Sequence, residues 1–327
     1  MAITRWGILG AAKFAREHMG PAIHAARNAE LVALASSSAD RAAPFAAFAP
    51  GLRQHDSYDA LLADPGIDAV YIPLPNHLHL EWSLRAIAAG KHVLTEKPMA
   101  MRAGEFDRLI AARDASGLLV AEAYMIVHHP QWQKVRALIA EGAIGRIEHV
   151  DTAFSYDNRA DPGNIRNRPE TGGGGLRDIG VYTFGCTRFA TGAEPLALSA
   201  RVKLENGVDT WAQVVGEMEG PTGRFTWSSI TSMRLFPRQE VVFQGETGLI
   251  RVTAPFNAGL FGEAQVELHR SGNSSECWRF PAVNQYVLQV EAFGRSLHEA
   301  APYACPLEFS RGTQGMIDQV FAVATEI

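Results

Sequence analysis

Thr95–Ala100, TEKPMA, sets an acid, a lysine and a proline together directly after the apolar run KHVL. A lysine at the mouth of a buried strand is partly desolvated, which disfavours its ammonium form. Lys97 could then donate to an oxygen of a bound molecule, or keep a neighbouring acid's proton in play. Against that stands the ordinary lysine, a solvated charge on a turn. A second pair lies in LRDIGVYTFG (176–185), where Asp178 and Tyr182 stand four apart on one face of a helix. Tyr182 is either a proton-transfer group or an aromatic packing its helix onto a sheet. Between these segments runs the long polar stretch DNRADPGNIRNRPETGGGG (157–175), too long to be idle scaffolding in a compact domain. Its Arg166 and Arg168 could meet a hydroxyl or an acidic group, although loop arginines usually face water.

The elements that must position these groups come in two kinds. In the first third, apolar runs at 5–10, 30–36, 68–75, 91–96 and 117–123 alternate with helical patterns at 13–28, 40–49, 57–63, 77–89 and 102–116. Uninterrupted apolar runs fit strands buried on both faces, and the alternation predicts a doubly wound parallel α/β sheet. Pro21 is expected to break the first helix; Gly90 and Gly117 supply left-handed ends for later ones. Beyond about residue 123, alternating strands joined by turn signals at 206–207 and 245–248 predict an α+β domain with a large open, mainly antiparallel sheet. Helices at about 130–141, 284–299 and 309–325 complete it, so the expected domains are 1–123 and 124–327.

The first strand turns into the first helix through GILGAAKFA (7–15). Small residues there let a dinucleotide's pyrophosphate approach backbone at a helix N-terminus. The glycine, glycine, glycine-or-alanine positions read Gly10, Ala12 and Ala15, so the middle one departs from the pattern. The candidate cofactor residues here are Gly10, Ala12, Lys13 and Phe14. An NAD site commonly has an acid at the end of the second strand, to receive the ribose hydroxyls. This chain has Ser36, Ser37 and Ser38, with Arg41 just beyond, which would tolerate a 2′-phosphate. The alternative is that the serines only cap the next helix, Ser38 being placed for it. NADP is expected over NAD, with NAD still possible. After the fourth strand, Pro75 and Asn76 lead into His77 and His79 at the edge where such sheets bind ligands. Two histidines without a Cys or Asp cluster make a poor metal site, so no metal is expected.

Bulk properties narrow the classes. The 327 residues exceed what one core usually serves, and 47% hydrophobic with 20% charged residues is ordinary for a soluble enzyme. A net charge of -5 gives no footprint for nucleic acid, and no apolar stretch is long enough for a membrane span. The start lacks a signal-peptide pattern, and three scattered cysteines, Cys186, Cys277 and Cys305, fit a reduced, cytoplasmic setting.

Taken in order, the dinucleotide turn, PNHLH, EKP, AEAYMIVHHPQ (121–131) and GGGGLRDIGVYTFG (172–185) resemble the glucose–fructose oxidoreductase, inositol dehydrogenase and rhizopine-catabolism family (Gfo/Idh/MocA). The resemblance covers essentially the whole chain. It implies an oxidoreductase moving a hydride between a nicotinamide and a sugar, polyol or related carbohydrate-like substrate. It places Glu96, Lys97 and Pro98 at the active site, Pro75, Asn76 and His79 near the nicotinamide, and Tyr124 with Arg166, Arg168, Asp178 and Tyr182 toward substrate. Tyr182 stands where the commoner pattern has histidine, and this resembles the branch with NADP xylose dehydrogenases and dimeric dihydrodiol dehydrogenase. A phenol and an ammonium both start near pKa ~10, and a nearby positive charge favours phenolate. The expected roles are therefore Tyr182 as proton acceptor, Lys97 as its electrostatic partner and substrate clamp, and Asp178 as hydroxyl anchor. The alternatives are a cofactor-binding regulatory protein without turnover, or an NAD-dependent dehydrogenase of inositol type. A sheet face too apolar to leave wet is expected, and with it a homodimer or homotetramer.

Overall fold

A computed structural model describes residues 2–327. The chain forms two compact units, Met1–Met125 with Asn284–Arg311, and Ile126–Val283 with Gly312–Ile327. The first unit is thus discontinuous, which a single cut after residue 123 does not provide.

Its centre is a six-stranded, all-parallel sheet in the order β3-β2-β1-β4-β5-β6. The strands are β1 (Thr4–Leu9), β2 (Ala29–Ala35), β3 (Arg53–His55), β4 (Ala69–Ile72), β5 (His92–Thr95) and β6 (Val120–Glu122). Helices α1 (Gly20–Ala25), α2 (Ala39–Ala42), α3 (Tyr58–Leu62), α4 (His79–Ala88) and α5 (Phe106–Ser116) fall between them. A core of Leu9, Val70, Ile72, Val93, Phe106 and Leu109 explains why the strands read as unbroken apolar runs. Strand β3 escapes the sequence pattern because it is a three-residue polar edge strand, RQH. Pro21 does not break the first helix. A π-helical turn, Ala15–Met19, runs directly into α1, and Pro21 falls in the first turn of α1, where its missing N–H costs little. The returning segment carries α8 (Gln285–Glu299). It is anchored by Asn28, whose Nδ2 donates to the Glu291 carbonyl at 2.9 Å, and by Trp6, whose ring lies 4.9 Å from that of Phe293.

The second unit is built on a nine-stranded sheet, order β14-β13-β12-β11-β7-β10-β9-β8-β15. Its strands are β7 (Ile147–Asp157), β8 (Glu194–Glu205), β9 (Val208–Gly220), β10 (Gly223–Ser232), β11 (Arg234–Gly245), β12 (Gly248–Thr253), β13 (Gln265–Arg270), β14 (Ser274–Arg279) and β15 (Ala324–Glu326). Most neighbours are antiparallel, but β7 runs parallel to β10 and β15 parallel to β8, so the sheet is mixed. The Asn206-Gly207 turn has φ of 53° and 79°, the left-handed pair that a tight hairpin needs. Helix α6 (Pro130–Ala140) precedes β7, and α7 (Val181–Thr191) is buried along its whole length. Helix α9 (Leu307–Val323) ends the helical part of the chain. The final β15, AlaThrGlu, stands where the sequence predicted a longer helix.

The exposed sheet face is mixed, with ion pairs beside exposed apolar side chains. Arg238 pairs with Glu240 at 2.8 Å, Arg251 with Glu240 at 2.7 Å and with Glu267 at 3.8 Å, and Arg238 approaches Asp151 at 3.9 Å. Strand alternation puts these charges in adjacent rows, while Val215 of β9 and Phe236 of β11 stand exposed as well.

Candidate active site

In the first unit, three strand ends meet around the Lys97 turn. The peptide bond Lys97-Pro98 is cis and Lys97 is half-buried. On one side, the Tyr71 hydroxyl of β4 donates to Glu96 Oε1 at 2.6 Å, and the Glu96 N–H donates to the Ile72 carbonyl. Beneath it, Glu122 at the end of β6 accepts the Met99 N–H at 2.8 Å. Glu122 is buried, and burial raises its pKa, with Lys97 among the charges that pull it back. On the far side, His79 is enclosed between two carbonyls, with Nδ1 2.7 Å from Pro98 O and Nε2 2.6 Å from Leu74 O. Burial pushes the ring down to about 4, against the two carbonyls, each of which favours a proton on the ring nitrogen facing it. His79 thereby ties the end of the Pro75–Asn76 turn to the Lys97 turn. Glu122 and Tyr71 were not singled out from sequence, although an acid closing an apolar run, as in LLVAE, is a readable signal.

The dinucleotide turn has the geometry its residues suggest. Gly10 has φ of +104°, closed to most side chains, and its N–H donates to the Ala35 carbonyl at 3.0 Å. Lys13 is exposed, while Phe14 packs edge-on to Tyr286 at 5.6 Å. At the end of β2 the serines divide. Ser36 is buried with its hydroxyl on the Ser38 carbonyl, and Ser38 caps α2 through the Arg41 N–H. Ser37 and Arg41 point to solvent, and no carboxylate lies between Ala35 and Ala39. These residues fit the 2′-phosphate of NADP. Tyr124 is buried, its ring 6.0 Å from that of Phe309.

The second unit assembles its polar cluster from distant segments. Asp178, in the π-helical turn Leu176–Gly180, receives the Tyr156 hydroxyl of β7 at 2.7 Å and Arg166 Nε of the long loop at 2.8 Å, both on Oδ2. The Asp178 charge holds the Arg166 guanidinium firmly protonated, and burial followed by that same charge raises the Tyr156 phenol well above its usual range. Asp178 is therefore a neutralised, fixed acceptor rather than a lone anchor. One helical turn on, Tyr182 is buried beside two rings, Phe154 at 5.8 Å and Phe256 at 5.7 Å. Arg168 takes no part in this cluster, since it is exposed and pairs with Glu170 at 2.6 Å. Tyr156 was missed because SYD reads as ordinary strand alternation. Among the described residues, no group of three His, Cys, Asp or Glu could hold a metal, and no helix is long and apolar enough to cross a membrane.

Two profiles match this chain: the oxidoreductase family with an NAD-binding Rossmann fold over residues 4–124, and the GFO/IDH/MocA C-terminal domain over residues 132–251. An uncharacterized oxidoreductase, ORF334 of Rhizobium meliloti, is 38% identical, covering 98% of this chain and 96% of that protein. The dTDP-3,4-didehydro-2,6-dideoxy-alpha-D-glucose 3-reductase of Actinomadura kijaniata is 32% identical over 98% and 95%. The crystal structure of KijD10, a 3-ketoreductase from Actinomadura kijaniata in complex with NADP and TDP-benzene, superposes with a TM-score of 0.87 at 30% identity, covering 99% of each chain. With the parallel sheet, the mixed second sheet and both family profiles in agreement, the chain belongs to the Gfo/Idh/MocA oxidoreductases.

Proposed function

We propose that this chain is an NADP(H)-dependent oxidoreductase acting on a sugar, polyol or related carbonyl/carbinol compound, with a keto sugar as the leading substrate class. The first unit would carry the cofactor and the second the substrate. The observation that carries the reading is the Tyr156–Arg166–Asp178 cluster one helical turn before Tyr182. A carbohydrate presents several hydroxyls, and a cluster of donors and acceptors fixed by mutual bonds can orient them at little further entropic cost. The preference for NADP rests on Ser37 and Arg41, both exposed at the end of β2 where a carboxylate would repel a 2′-phosphate. The A. kijaniata ketoreductase crystallised with NADP agrees with this choice.

When bound, the nicotinamide supplies or accepts the hydride. Tyr182 takes the hydroxyl proton in the oxidising direction and returns it in the reducing one. Lys97 stabilises the developing negative charge and clamps the substrate oxygen. Glu96 and His79 hold the turn on which Lys97 sits. The test is the reduced-nicotinamide absorbance band, followed with both cofactors against free aldoses, polyols and nucleotide-linked keto sugars. Oxidation of NADPH by a keto sugar, or its formation from an alcohol, supports the reading. Tight NADP binding with no change in signal for any substrate overturns it in favour of a regulatory protein.

A further inference from the structure

We propose that Asp209, on β9, is a positioning residue of the reaction: its carboxylate pins the junction between the Arg166 loop and the helix that carries Asp178 and Tyr182. This rests on the reading of Tyr182 given above.

Asp209 is buried, and its Oδ2 accepts the Leu176 N–H at 2.6 Å, at the first residue of the π-helical turn. The glycine run before that turn is shaped around the carboxylate. Gly174 has φ of +114°, and a Cβ there would collide with Asp209 Oδ1. A Cβ on Gly175 would lie 3.3 Å from Oδ2. The same run holds the loop: the Gly174 N–H donates to the Arg166 carbonyl at 3.0 Å, and the Gly173 N–H to the Arg168 carbonyl at 3.0 Å. A Cβ at Gly173 would lie 2.5 Å from the Arg166 carbonyl oxygen. One carboxylate therefore fixes a four-residue joint with the Arg166 backbone on one side and Asp178 two residues past Leu176 on the other. The 2.8 Å contact between Arg166 and Asp178 needs both sides in register.

Burial pushes Asp209 up to about 7, against the pull of the Leu176 N–H and of the Arg177 charge from the helix's first turn. The other groups acting on it are the backbone N–H groups of Gly175 and of Asp209 itself, and Arg177 is the one charge among them. The joint thus changes charge near neutrality. Burial outweighs the helix N–H groups and Arg177, so the joint is firmest with Asp209 protonated and loosens as the carboxylate forms.

Asp209→Asn keeps an acceptor for Leu176 and removes the titration. The variant and wild type are compared by kcat, KM, NADP affinity and the hydrogen-exchange protection of residues 172–180 across about pH 6 to about pH 8. We expect kcat to fall ~10-fold with NADP affinity unchanged. Wild-type protection of 172–180 should fall as pH rises through about 7, because the closed joint holds the Asp209 proton more tightly than the open one, and that dependence should vanish in the variant. The proposal is overturned if Asp209→Asn retains both wild-type kcat and wild-type protection of this segment. Should that variant fold poorly, Asp209→Glu, which keeps the carboxylate and changes its reach, is judged by the same two readouts. Tyr182→Phe is run beside it: full turnover there would sink the role of Tyr182, while the exchange data would still judge the Asp209 joint.

Discussion

The Lys97 turn of the first unit and the Tyr182 helix of the second are built by opposite strategies. Around Lys97, the supporting groups other than His79 of α4 sit on a parallel strand or in the turn leaving it: Tyr71 in β4, Leu74 after it, Glu96 after β5, Glu122 at the end of β6. Around Tyr182, the partners come from a loop, a neighbouring strand and a glycine run, and meet only through sheet register. The first is a rigid backbone cradle presenting one ammonium. The second is a side-chain network whose members neutralise one another. Loss of one member should therefore be felt locally in the first and spread in the second.

The largest effect is expected at the two reacting groups themselves. Tyr182→Phe should lower turnover by ~10²–10⁴ with cofactor affinity barely changed, since a positioned proton-transfer group contributes that much. Lys97→Met should be at least as damaging, because charge and clamp go together. Steady-state kinetics beside cofactor titration read both. Near-normal turnover for Tyr182→Phe, with Lys97→Met inactive, would put the proton on lysine and reduce the tyrosine to packing.

A second contrast concerns acid stability of the Lys97 cradle. Buried His79 has its pKa held at about 4, below the ordinary histidine value that its unfolded chain would show. Its contribution is therefore complete above about pH 6.5 and is lost as pH falls toward 4, amounting to roughly 3 kcal/mol. Denaturant unfolding of wild type should weaken over that window, and His79→Asn should weaken less over the same window. Equal losses in the two proteins would show that His79 is not buried in neutral form. His129, in the second unit, is also pushed to about 4 by burial and provides the matching control there.

The same difference in construction explains what could be read from sequence. PNHLH and EKP were legible because strand-end residues in a doubly wound sheet declare their position by following an apolar run. Asp178 and Tyr182 were legible as a helical pair. Tyr156 and Asp209 were not, because their importance depends on β7 lying parallel to β10 and on which turn the β9 acid faces. Alternation gives the face of a strand but not its neighbour. His79 was legible by position, but not the carbonyls on either side of its ring, which appear only in three dimensions.

The third prediction sharpens the network side. Arg166→Ala should lower kcat/KM by roughly 10², the scale of a small misplacement at a reacting centre, because Asp178 loses its cation while Tyr156 stays bound. Arg168→Ala, on an exposed pair with Glu170, should stay within about twofold of wild type, as surface ion pairs contribute little. Equal effects at the two positions would mean that loop charge, not the Asp178 contact, is what matters.

The smallest effect should come from the cofactor end, where neither strategy is at work and one exposed side chain decides. Ser37 is free of the capping duties that occupy Ser36 and Ser38, so it can be changed without disturbing α2. Ser37→Asp would set a carboxylate beside the position proposed for the 2′-phosphate. Two like charges at about 4 Å repel by ~1 kcal/mol in water and ~4 kcal/mol near a protein surface. That is at least ~5-fold in affinity and up to several hundredfold, with Arg41 offsetting part of it. NADP affinity should therefore fall while NAD affinity holds or improves, since the new carboxylate can accept from ribose hydroxyls. Titration of both cofactors against the variant reads the ratio directly. Unchanged discrimination would remove Ser37 from the ribose site and leave the choice of cofactor to Arg41 alone.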